Sequence, residues 1–71
     1  MGMSFEDIII DEIARMMAEC NRAKAQGMAG RVSLVKAKMN GYKAGLNTLL
    51  KKEFVDELFL SAEKAMEAEM I

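Results

Sequence analysis

RVSLVKAKMNGYKAGLNTLL, residues 31–50, settles the fold class of this chain. It sets Val32, Val35, Met39, Tyr42, Leu46 and Leu49 at successive spacings of three and four. Side chains so spaced share one side of a helix, and a seam of this kind packs helix against helix. A strand alternates with a period of two and could not gather these residues on one face. Asn40-Gly41 and Gly45 interrupt the seam, and a glycine inside a helix costs about 1 kcal/mol relative to alanine. Either the helix ends near Gly41–Gly45 and another begins with Asn47 or Thr48 as its cap, or one helix runs through. We favour the break, near Gly45.

Upstream, Gly27-Met28-Ala29-Gly30 reads as a short loop before that segment. The first helix should start at Ser4, whose hydroxyl can accept from a free amide of the first turn. Glu6 and Asp7 follow where the helix dipole favours negative charge. Its buried stripe is Phe5, Ile9, Ile13, Met16, Cys20 and Ala23, widened by Ile10 and Met17. Gln26-Gly27 ends it, because glycine adopts the left-handed conformation that a C-terminal cap needs. The last helix has no breaker. Leu46, Leu50, Phe54, Leu58 and Ala65 mark one row, and Val55, Phe59, Ala62, Met66 and Met70 a neighbouring one. Leu60 falls among Glu53, Glu57 and Lys64 on the polar side and has no internal partner in view.

The expectation is therefore one all-α domain over residues 1–71, with helices over about 4–26, 31–44 and 47–70. It is a small three-helix bundle, or two long helices with a kinked middle one. A last helix of about 24 residues, some 36 Å long, would overhang a middle one of about 15.

Charge is segregated along the chain. Between Cys20 and Lys52 there are eight basic residues and no acidic one: Arg22, Lys24, Arg31, Lys36, Lys38, Lys43, Lys51 and Lys52. Residues 1–19 carry a net −4 and residues 53–71 a net −5, so the formal −1 conceals a minus–plus–minus pattern. Such a middle segment faces acidic partners, either its own flanks or something external. Lys36, Lys43 and Lys51 form one stripe; Arg31 and Lys38 form another, seven residues apart. We expect the basic helix to lie between two acidic ones.

Seventy-one residues make a marginal domain. A core of this size rarely supplies more than roughly 3–5 kcal/mol, so small domains recruit disulfides, metals or other subunits. Cys20 is the lone cysteine and there is no histidine, which excludes an internal disulfide and a structural zinc site built from Cys and His. With 52% hydrophobic residues, completion by a second chain is the expected route, most simply a homodimer. No stretch approaches the roughly 20 apolar residues that span a bilayer, so no membrane association is expected. A lone thiol suits a reducing compartment, and the cytoplasm is the expected location.

Catalytic and ligand motifs do not rise above background. Asp7 and Asp11 share a helix face, but a cation site or an acid–base pair needs more ligands or a dry cleft. Cys20 lies on the apolar stripe with no base to activate it. The Gly27–Gly30 loop before Arg31 lacks the Gly-Lys-Ser/Thr ending of a phosphate loop. Eight methionines suit either core filling or an adaptable partner surface.

These readings point to a non-enzymatic protein–protein interaction module, such as a small adaptor, co-chaperone or inhibitor, with no cofactor and no small-molecule substrate. Val55, Phe59, Leu60, Met66 and Met70 are the expected apolar contacts; Arg31, Lys36, Lys38 and Lys43 the electrostatic ones. The alternative is a nucleic-acid-binding regulator using the basic middle helix. It is the weaker reading, since the sequence pI is about 5.4 and nucleic-acid-binding domains usually exceed roughly 9.

Overall fold

Three helices follow one another: α1 (Phe5–Ala25), α2 (Ala29–Leu49) and α3 (Lys52–Glu69). The computed structural model describes residues 4–69, with side chains described for 4–67, and no strand occurs among them. α1 starts as its sequence requires: the Ser4 hydroxyl accepts from the Asp7 amide at 3.1 Å, with Glu6 and Asp7 in the first turn. It ends in a Schellman cap. The Met28 amide donates to the Ala23 carbonyl at 2.9 Å and the Gly27 amide to Lys24 at 3.1 Å. Gly27 makes this possible with a φ of 70°, a conformation that strains any residue bearing a Cβ.

The middle helix corrects the expected break near Gly45. α2 continues through both Gly41 and Gly45 to Leu49. Thr48 starts no new helix; its hydroxyl donates to the Gly45 carbonyl at 2.6 Å, inside α2. The glycine penalty is offset because Tyr42 and Leu46 on either side pack into the core, and that burial holds the backbone helical. The chain turns instead at Leu50, which is extended (φ −129°, ψ 159°), and α3 follows at once. The helices hold 21, 21 and 18 residues, so they are nearly equal. The overhang expected from unequal lengths does not arise.

The order in space also differs from the expectation. α1, not the basic α2, is the central helix: it packs along both of the others, which meet each other only briefly. Arg31 at the start of α2 pairs with Glu19 near the end of α1, and the two helices pack along each other, so they are antiparallel. Asn21 near the end of α1 reaches Met66 near the end of α3, so α1 and α3 run parallel. The core gathers Ile9 and Ile13 of α1, Leu46 of α2, and Val55, Leu58 and Ala62 of α3. Cys20, Ala23 and Val35 are buried nearer the α1–α2 turn. Because α2 and α3 meet only briefly, the side of the bundle between them is open.

Candidate protein-binding surface

The buried stripes follow the spacing read from the sequence, but the helix ends escape them. Phe5 and Leu49, the terminal members of their seams, are 63% and 82% exposed. Each lies at the end of its helix. Ile8 and Met28 are also exposed. A different signal marks Leu34, 62% exposed on α2 between Arg31 and Lys38. It falls off the 32–35–39 seam, just as Leu60 falls off the apolar rows of α3. The same test would have found it in the sequence.

Of the expected apolar contact residues, Leu60 is 52% exposed among Asp56, Glu57, Glu63 and Lys64. Val55 is not on that surface. At 0% exposure it is a centre of the core, because α3 lies lengthwise on α1 and turns this position inward. Phe59 is half-buried against the core. Met66 is half-buried too, its sulfur accepting from Asn21 Nδ2 at 3.3 Å. Met70 lies outside the described residues.

The cations divide between two tasks. Arg31 Nη2 sits 2.8 Å from Glu19 Oε1 and ties α2 to α1. Lys43 Nζ lies 3.5 Å from Asp56 Oδ1 and 5.2 Å from the centre of the Phe59 ring, so one ammonium fastens α2 to α3 twice. Lys36 and Lys38 are exposed and enter no ion pair among the described residues. Two residues apart on a helix, they point about 200° from one another. The four residues therefore make no single basic face. Lys36 and Lys43 share the flank toward α3, while Arg31 and Lys38 share the flank toward Glu19.

Asp11 is occupied by Arg15 at 2.9 Å. Cys20 is a buried thiol. Burial, and secondarily the Glu12 carboxylate, push the Tyr42 phenol above its ordinary range, keeping it neutral. Among the described residues no group of three His, Cys, Asp or Glu side chains could hold a metal, and no helix is long and apolar enough to cross a membrane. An open depression at the α1–α2 turn is bordered by Arg22, Gln26 and the Arg31–Glu19 pair. No protein-family model, no curated protein and no solved structure matches this chain.

Proposed function

We propose that the chain is a non-enzymatic protein-interaction module, an adaptor, co-chaperone or inhibitor of the cytoplasm, that works with another polypeptide laid on its open side. The simplest assembly is a homodimer. One observation carries the reading: Leu60 stands 52% exposed in the middle of a charged helix face and takes no part in the core. Single exposed leucines are common. Here, however, Phe5, Ile8, Leu34 and Leu49 are exposed as well, on a chain with few residues to spare for its core. The lone, buried cysteine suits a reducing compartment.

Leu60→Glu tests the reading. The variant should keep the far-ultraviolet circular dichroism of the parent, yet lose association, measured as mass in solution by light scattering. Loss of helicity would overturn the reading, because Leu60 would then be a core residue. The nucleic-acid alternative has less support: its cations lie on opposite flanks of α2, and Arg31 and Lys43 are held by carboxylates.

A further inference from the structure

Lys43 and Asp56 mark the flanks by which α2 and α3 face each other. Seven residues is nearly two full helical turns, so Lys36 lies on the same flank of α2 as Lys43, and Glu63 on the same flank of α3 as Asp56. Because α2 and α3 are antiparallel, stepping back on one and forward on the other moves the same way, by about 10.5 Å. Lys36 and Glu63 thus stand at the same height on facing walls. Had α2 and α3 stayed in contact, this would be the next ion pair. They do not stay in contact; both residues are exposed, and neither enters an ion pair among the described residues. The open side therefore has a basic wall, α2, which carries no acidic residue from Ala29 to Leu49. Its other wall is acidic, with Asp56, Glu63 and Glu67 on one flank of α3. Val32, Met39, Phe59 and Met66 stay half-buried along these walls.

Resting on the interaction reading above, we infer that a second copy of this chain covers the open side, about a two-fold axis parallel to the helices. That axis sets each α2 over α3 of the other copy, antiparallel and at unchanged height. Lys36 then meets Glu63 of the second copy, and the reverse contact follows by symmetry. Leu60 falls level with Met39 of the second copy, whose flexible thioether chain can repack around it. A two-fold axis across the helices would instead stack α2 on α2, lysine against lysine, and like charges at close quarters reject such a register.

Charge reversal with mixing tests this arrangement. Lys36→Glu and Glu63→Lys should each keep helicity while weakening self-association at least about tenfold, since each sets like charges across the axis twice. Mixing the two variants sets the introduced glutamate against the introduced lysine at one contact and keeps the native Lys36–Glu63 pairing at the other. Both contacts are then of opposite charge, and the dimer mass should return as a heterodimer. An ion pair within one chain could not be repaired by mixing. A parent chain that dimerises, with variants that mixing fails to rescue, would overturn this geometry and leave the interaction reading standing. A parent chain that remains at monomer mass at millimolar concentration would overturn the second copy as the occupant. Leu60→Glu losing helicity would remove the interaction reading itself.

Discussion

The end of the bundle near the α2–α3 connection and the end near the α1–α2 turn are held together differently. At the first, all three helices contribute buried side chains, from Ile9 and Ile13 through Leu46 to Val55, Leu58 and Ala62, and Lys43 clasps α3 from outside. At the second, the buried set shrinks to Cys20, Ala23 and Val35. No described side chain of α3 beyond Ala62 is buried there. The turn end relies on hydrogen bonds and charge instead: the Schellman cap at Gly27, the Arg31–Glu19 pair and the Asn21–Met66 contact. The lesson is that a short chain can concentrate its apolar packing at one end and let a turn hold the other. The cost is an open side between two helices.

The largest test of that contrast is truncation of the core. Ile13→Ala should cost about 2–5 kcal/mol, enough to unfold most of a domain whose core rarely supplies more than roughly 3–5. Val35→Ala at the turn end should cost less, about 2 kcal/mol. Urea midpoints would compare them, and equal costs would erase the difference between the ends. Next in size is the turn. Gly27→Ala forces a Cβ into the left-handed region, at about 1–2 kcal/mol, and should raise amide exchange first at the α1–α2 end. The smallest change should be a gain. A Cβ added at Gly41 or Gly45 meets nothing within 4 Å, so each change to alanine should stabilise α2 by about 1 kcal/mol, or roughly 4–8 °C in Tm. If either instead weakened self-association, that glycine would lie in the interface rather than in free solvent.

How much of this was legible in the sequence depends on what periodicity reports. It gives the face of a helix that is buried, and Ile9, Ile13, Cys20, Ala23, Val35 and Leu46 are buried as their spacing requires. It does not give the neighbour that buries that face. Nothing in the spacing says that α1 lies between the other two, so the basic helix was expected there, and Val55 was expected as a partner contact rather than in the core. Local propensity misplaced the second junction. Gly45 looked like a stop, yet the packing of Leu46 outweighs it. The true bend falls at Leu50, a residue with no turn preference of its own. Leu60 was legible because a residue surrounded by charge needs no tertiary information to look out of place.

Cys20 gives this asymmetry a practical consequence. Its thiol is sealed at the thinner end of the bundle, so an alkylating reagent can reach it only while that end breathes. The chain thus carries its own stopwatch. The labelling rate, set against that of an unfolded peptide, reads the opening free energy of one end without any introduced probe.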